Sequence, residues 1–291
     1  MQLSLVNGER IEAFSKERGN CPICGAETIA KCGPRIMHHW AHSRIRNCDP
    51  WWENETQWHR DWKNKFPLEC REVAHLAEDG EIHRADIKTP TGIVIEIQHS
   101  TMSDSERISR EQFYKNLVWI LDGGVFRNNF DIYHMLPDPK SELAQDLVWS
   151  KAQRHMHGSN AGIFFRLSEG LMEDPSVTKA TLRSGWIHGI HEIKDEVIYC
   201  YNSYHQYDWV RPRKTWLDAK CPVYIDFGCE YLVKLDTYDE SELKCVRIVS
   251  KRKFLHDVMV EDDVQNIASR FYPILSSESG QKMFNINIPT I

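Results

Sequence analysis

The sequence predicts a mixed α/β fold, with helices flanking a central mixed sheet. Three observations predict it: a helix-type segment without Gly or Pro at 52–66, two alternating strands at 81–88 and 93–100, and three more strand-like runs between Pro222 and Leu255. With 291 residues, of which 41% are hydrophobic, the chain is long enough for one large domain or two smaller ones.

Charge and composition argue against several classes of protein. The chain has 36 Lys+Arg and 42 Asp+Glu, so it does not hold nucleic acid by overall charge. Its nine cysteines are too few and too unevenly spaced for a disulfide scaffold. No run approaches the roughly 18 apolar residues of a membrane helix, and the start lacks the blocks of a signal peptide. We therefore expect a cytoplasmic protein with no membrane partner.

Residues 21–42 carry a candidate zinc site. Cys21 and Cys24 form a C-x2-C knuckle around a tight turn, and His39 and His42 form an H-x2-H pair in the next segment. Four such ligands suit tetrahedral zinc and leave no position for water, so the expected role is structural. The alternative is a group of buried free cysteines with surface histidines.

Neighbouring residues leave the ligand set open. His38 could replace His39, a shell containing Cys32 would omit one of the four ligands, and Cys48 is a further candidate. The densest basic stretch of the chain surrounds the cluster, as contacts to phosphate would require. A solvated charged face explains the same residues, which are Lys31, Arg35, Arg44, Arg46, Arg60 and Lys63.

The segment from Trp52 to Phe66 predicts a helix of about four turns that ends at Pro67. Glu55, His59 and Lys63 follow one another at i, i+4 and i+8, so they share one face of that helix. This face is either part of a polar site or a ladder of favourable pairs on a solvated surface.

The two strands at 81–88 and 93–100 predict a hairpin joined by a TPTG turn. Asp86 lies near the end of the first strand, and Glu96 and Gln98 share one face of the second. Pairing across the hairpin brings the two carboxylates together, and a divalent cation would relieve their repulsion. Alternatively, Asp86 caps the turn and Glu96 lies on an exposed strand face.

A second helix is predicted to start at Ser103, because Glu106 follows it at capping-box spacing. Arg107, Arg110 and Tyr114 lie along one stripe of this helix with Ser103. An Arg there suits phosphate, and a Tyr can orient phosphate or stack on a base. A surface Arg packed on a core Tyr is the alternative. LVWILDGG then predicts a buried strand and a turn.

Residues 137–212 predict a small inserted subdomain with at least one strand. Its histidines show no paired ligand spacing and are interpreted as ordinary surface or core residues; they are His155, His157, His188, His191 and His205. The later cysteines lie in apolar runs and are interpreted as buried thiols; they are Cys200, Cys221, Cys229 and Cys245.

The predicted organisation has five parts. A segment with the candidate zinc site is followed by the first part of the core, the insertion, the C-terminal part of the core and a tail suited to docking a partner. The corresponding ranges are 1–48, 49–136, 137–212, 213–265 and 266–291.

Taken in order, these motifs resemble the competence protein CoiA-like family. The quoted pattern is CPxCG, HxxH, E-x3-H-x3-K, R-A-D, I-E-I-Q-x-S, R-x3-Y and W-I-L, and it covers roughly residues 20–135. The family's nuclease domain belongs to the PD-(D/E)XK superfamily and follows a zinc-ribbon-like segment, which supports Cys21, Cys24, His39 and His42 as ligands. The stretch 214–228 resembles the family's second half.

The resemblance implies a role for each matching residue. Glu55 would be the helix acid of the first motif, Asp86 and Glu96 the metal-binding carboxylates, and Arg110 and Tyr114 the helix residues that complete the site. Gln98 occupies the place usually held by the motif lysine. Ala85 replaces the proline of the superfamily's name, which is a small matter of turn geometry.

The expected activity is hydrolysis of a DNA phosphodiester with Mg2+ or Mn2+ held by Asp86, Glu96 and the backbone carbonyl of Ile97. Glu55 or His59 would relay a proton or hold a second ion. Since glutamine supplies no positive charge, either a further metal ion or one of three basic neighbours must provide it, namely Lys63, Lys88 or Arg110.

The resemblance associates the chain with DNA uptake, and defence against foreign DNA is the other expected setting. RNA is not excluded as a substrate. One rival hypothesis is a nuclease-like module that binds DNA without cutting it. The other is an effector subunit that is active only with a protein partner or as a homo-oligomer.

Overall fold

The structure is a computed structural model that describes residues 1–44, 48, 51, 55–76, 80, 82–154 and 162–264. These residues divide into two compact units, 1–119 with 258–264, and 120–257. Several predictions therefore lie outside the described residues: those for Arg46, His155, His157, the start of the first helix at 52–54 and the tail at 266–291. None of the helices in the described ranges has the length and hydropathy needed to cross a membrane.

The first unit begins with a five-stranded antiparallel sheet of order β2-β1-β3-β4-β5. Trp40 fills its interior and is 1% exposed. Its indole N–H donates to the carbonyl of Ile11 at 3.0 Å, so burial leaves this polar atom paired. The strands are β1 (Leu3–Val6), β2 (Glu9–Glu12), β3 (Arg18–Asn20), β4 (Glu27–Gly33) and β5 (Ile36–His42).

The second part of this unit contains the predicted hairpin and both predicted helices. Its strands follow the order β9-β8-β7-β6, and β7 and β8 pair antiparallel. Both faces of β8 are buried. The elements are α1 (Gln57–Lys63), β6 (Arg71–Leu76), β7 (Ile82–Lys88), β8 (Val94–Gln98), α2 (Asp104–Phe113) and β9 (Leu117–Asp122), whose last three residues belong to the second unit.

The observed starts of the two helices can be compared with the predicted starts. Ser103 caps α2, and its hydroxyl accepts from the backbone N–H of Glu106 at 3.2 Å, which confirms the predicted start. Helix α1 is shorter than predicted, because Thr56 caps it by accepting from the backbone N–H of His59. Glu55 therefore precedes the helix instead of lying on its first turn, which corrects the prediction of one continuous helical face.

The second unit contains five strands in the order β10-β14-β17-β16-β15 and a three-stranded sheet β11-β12-β13. The strands are β10 (Phe130–Pro137), β11 (Leu147–Trp149), β12 (Ile163–Arg166), β13 (His188–Gly189), β14 (Tyr201–Trp209), β15 (Val223–Asp226), β16 (Tyr231–Thr237) and β17 (Lys244–Ser250). The helices are α3 (Glu142–Gln145), α4 (Leu167–Glu173), α5 (Lys194–Tyr199), α6 (Lys214–Leu217) and α7 (Lys251–Val260).

This arrangement confirms a mixed α/β fold with a large mixed sheet and helices. The three strands predicted after Pro222 are β15, β16 and β17, and helix α7 follows them. Within the predicted insertion at 137–212, strand β14 pairs between β10 and β17. Of the four later cysteines only Cys245 is buried, whereas Cys200, Cys221 and Cys229 are half-buried.

Candidate active site

Three cysteines and one histidine form a cluster in the first unit. The ligand atoms of Cys21, Cys24, His42 and Cys48 all lie within 4.8 Å of one another, and they form the cluster of metal-binding type found among the described residues. Sγ of Cys24 lies 3.4 Å from Nε2 of His42, and Sγ of Cys21 lies 3.8 Å from Sγ of Cys48. Soft and borderline donors in this number suit a structural metal such as zinc.

The structure places Cys48, not His39, at the fourth position of this cluster. His39 and His42 lie three residues apart on β5, and such residues point to opposite faces of a strand. Nδ1 of His39 instead lies 2.9 Å from the carbonyl oxygen of Met37. Neither His38 nor Cys32 belongs to the cluster. Burial and then the nearby Cys21 raise the pKa of Cys48 to about 12, so binding a metal would release its proton.

A polar pocket in the same unit collects most of the predicted catalytic residues. It is lined by side chains from α1, from the two hairpin strands and from the segment before α1. Those that bear on its chemistry are Glu55, His59, Lys63, Asp86, Glu96 and Gln98. Ile97 and Arg110 also line it, whereas Lys88 and Tyr114 do not.

The hairpin places Asp86 and Glu96 side by side. Ile87 pairs with Ile95, so the neighbouring positions 86 and 96 also lie opposite each other. Oδ2 of Asp86 accepts from the backbone N–H of Ile97 at 3.0 Å, and Oε1 of Glu96 accepts from that of Asp86 at 3.3 Å. Each carboxylate is therefore held by the backbone beside the other.

The two carboxyl groups have opposite pKa shifts. Burial opposes the charge of Asp86, but His59 and Lys63 hold the pKa of this group well below its usual range. Burial and then the charge of Asp86 raise the pKa of Glu96 to about 8, even though Arg110 donates to it at 2.8 Å. Without a further cation the pair therefore favours one negative charge over two.

Lys63 lies among three carboxylates. Its Nζ is 2.8 Å from Oε1 of Glu55, 3.1 Å from Oε1 of Glu72 and 3.3 Å from Oδ1 of Asp86. Lys63 as a whole is 3% exposed. Burial alone would lower the pKa of Lys63, but the three carboxylates raise it well above its usual value.

No sequence motif indicates Glu72, which is also buried and lines the pocket. Its carboxylate accepts from the backbone N–H groups of Gln2 and Leu3, each at 2.9 Å. Its own φ of 48° lies in the left-handed region, which non-glycine residues rarely adopt. The single local feature that could indicate Glu72 as a site residue is a charge inside a strand. Many solvated strands also carry such a charge, so the feature is not specific.

The remaining predicted residues divide into those that face the pocket and those that do not. Nε2 of Gln98 donates to Oγ of Ser100 at 3.0 Å, and Arg110 contacts Glu96 and Glu106. Tyr114 is 1% exposed and packs against Trp51, so its ring is part of the core and does not offer a stacking surface.

The residues of the predicted basic stretch divide into those that are buried or paired with carboxylates and those that are exposed. The guanidinium of Arg60 donates to Glu55 at 2.7 Å and to the carbonyl of His38 at 2.7 Å, and Lys63 is buried. Lys31, Arg35 and Arg44 are exposed. Only these three, among the described members, present charge to solvent.

Comparison with protein-family models, curated proteins and solved structures finds no match for this chain.

Proposed function

We propose that this protein is a metal-dependent nuclease of the PD-(D/E)XK type that hydrolyses phosphodiester bonds in DNA. The observation that carries the proposal is the meeting of Asp86 and Glu96 in one pocket, with Glu55, Gln98 and a buried lysine around them. Their spacing in the sequence alone is a loose pattern, so their convergence is the stronger argument.

The donors at this pocket fit a hard divalent cation. Asp86, Glu96 and the carbonyl of Ile97 offer oxygen ligands, which suit Mg2+ or Mn2+ better than zinc. Burial and then the charge of Asp86 raise the pKa of Glu96, and a cation would allow the two carboxyl groups to ionise together. When bound, the ion would neutralise phosphate charge and lower the pKa of a coordinated water.

The chain's own residues would supply the remaining requirements. Gln98 can orient a water through hydrogen bonds but brings no charge. Among the three candidate cations, Lys88 lies outside the pocket with its Nζ 3.1 Å from Nδ1 of His75. Lys63 and Arg110 both line the pocket and each contacts one of the hairpin carboxylates, so they are the better candidates.

DNA is proposed as the polymer because of the resemblance to a family associated with uptake of transforming DNA, and defence against foreign DNA is the alternative setting. The exposed Lys31, Arg35 and Arg44 would add non-specific contacts to phosphates. These contacts do not distinguish DNA from RNA.

A DNA-binding module without catalysis is the second candidate. One specific observation favours it: Asp86, Glu96 and Glu55 are each already paired with a cationic or imidazole side chain. A network of this kind also serves as a purely structural feature of a protein core.

Cleavage assays separate the two candidates. Single-stranded DNA, duplex DNA and RNA are incubated with the zinc-loaded protein and Mg2+ or Mn2+, alongside Asp86→Asn and the exposed control Asp61→Asn. We expect cleavage by the wild type and the control and at least 100-fold slower cleavage by Asp86→Asn. Binding of DNA by the wild type with no cleavage in either metal would favour the binding module. Faster cleavage of RNA than of DNA would change the substrate assignment.

A further inference from the structure

The contacts of Lys63 indicate a more specific role than a general supply of positive charge. Its ammonium group has three N–H donors and lies within 3.3 Å of three carboxylate oxygens, one each from Glu55, Glu72 and Asp86. The three acids come from separate parts of the chain: the segment before α1, strand β6 and strand β7. Their convergence is therefore a feature of the folded unit.

Three carboxylates around one centre form the donor set that a divalent cation also prefers. Hydrolytic sites with two metal ions share one carboxylate between the ions and hold the second ion with further acids. Asp86 contacts Lys63 through Oδ1 and is next to Glu96 in the hairpin. It therefore has the position of a shared carboxylate, since it lies between the ammonium of Lys63 and Glu96, the other proposed ligand of the ion.

Glu72 shows that this position is built into the fold. Its carboxylate is held by two backbone N–H groups as well as by Lys63, and its backbone adopts a left-handed conformation. Burying a carboxylate costs free energy of folding unless the group is paired with a cation and hydrogen-bonded. Here it is paired with the ammonium of Lys63, which lines the same pocket.

We propose that the ammonium group of Lys63 permanently occupies the position of a second divalent cation, so that the pocket binds a single ion at Asp86 and Glu96. This inference rests on the proposed function and specifies its metal stoichiometry. Lys63 is a positioning residue in this role, since it holds Asp86 and Glu55 in place of a metal.

The test is the stoichiometry of Mn2+ binding to the zinc-loaded chain, measured by the loss of the free Mn2+ signal in electron paramagnetic resonance. We expect one Mn2+ per wild-type chain, and loss of that ion in Glu96→Gln. In Lys63→Met the three acids lose their ammonium, so we expect a second Mn2+. The double variant Lys63→Met with Glu72→Gln is the matched control and is expected to return to one ion.

The outcomes are distinct. Two ions per wild-type chain, both weakened by Asp86→Asn, would overturn the inference and leave the proposed nuclease intact. A folded Lys63→Met that still binds one ion would also overturn it. No Mn2+ bound by the wild type would remove the proposed function and this inference with it. The wild-type measurement needs no variant, so a Lys63→Met chain that fails to fold leaves the inference testable.

Discussion

Nε2 of His59 lies 2.9 Å from Oδ2 of Asp86, so a residue of helix α1 holds a carboxylate of strand β7. Both side chains are largely buried, with 9% and 20% of their surface exposed. The same Oδ2 atom accepts from the backbone N–H of Ile97. His59 thereby fixes the orientation of the acid that the proposed nuclease depends on.

His59→Leu is expected to weaken Mn2+ binding or cleavage by roughly 10- to 100-fold, because groups that orient a metal ligand have effects of this size. His59→Gln retains a donor and should recover part of the loss. Titration with Mn2+ and single-turnover cleavage measure the two effects. Asp61→Asn, on the exposed side of the same helix, is the control. Wild-type behaviour of His59→Leu would show that Asp86 needs no support.

The cluster of three cysteines and one histidine provides a second prediction, because it contains Cys48 and not the expected His39. Cys48→Ser is expected to lower the zinc content well below one ion per chain and to reduce Tm. A loss of about 2 kcal/mol corresponds to roughly 4–8 °C in a domain of this size. His39→Gln is expected to keep both values. Elemental analysis and calorimetry measure them, and zinc loss in His39→Gln alone would restore the original ligand set.

Local patterns were sufficient for the hairpin. Alternating apolar residues and a short turn specify which positions pair, so Asp86 and Glu96 could be placed together from sequence. Ser103 and Glu106 similarly predicted the start of α2. In contrast, the segment before α1 contains no helix breaker, and the capping role of Thr56 was not visible in a run of otherwise helix-compatible residues.

Long-range contacts account for the rest. Cys48 joins the Cys/His cluster from beyond β5, and no spacing rule selects it over His39. Glu72 meets Lys63 through long-range contacts. Its strand β6 pairs with β7, and its carboxylate accepts from the backbone N–H groups of Gln2 and Leu3. Local periodicity also does not encode which strands are neighbours in a sheet, so it could not place β14 between β10 and β17.

Glu72→Gln yields the third prediction. The substitution preserves the shape of the side chain but removes the buried negative charge that pairs with Lys63. Breaking a buried pair costs about 3 kcal/mol or more. Urea unfolding of the zinc-loaded protein should show a free energy of unfolding lower by about this amount. The exposed Glu69→Gln should change it by less than about 0.5 kcal/mol. Equal stability of the two variants would contradict the anchoring role of Glu72.

The last prediction concerns His205 in the second unit. Nδ1–H of His205 donates to the carbonyl of Tyr133 at 2.9 Å, so Nε2 accepts from the hydroxyl of Tyr201 at 2.6 Å. Burial lowers the pKa of His205 to about 4 from its usual 6.5. Between these values the unfolded chain binds the proton and the folded chain does not, so stability is present above pH 6.5 and falls as the pH drops towards 4.

The full effect of this difference is about 3 kcal/mol. Urea unfolding between pH 7 and pH 4.5 should therefore show a loss of stability that is smaller in His205→Gln, which cannot titrate but can still donate and accept. The exposed His191→Gln is the control and should follow the wild type. Carboxyl groups also titrate at the lower end, so the comparison between pH 6.5 and pH 5 is decisive. Parallel curves for wild type and His205→Gln in that range would contradict a buried neutral imidazole.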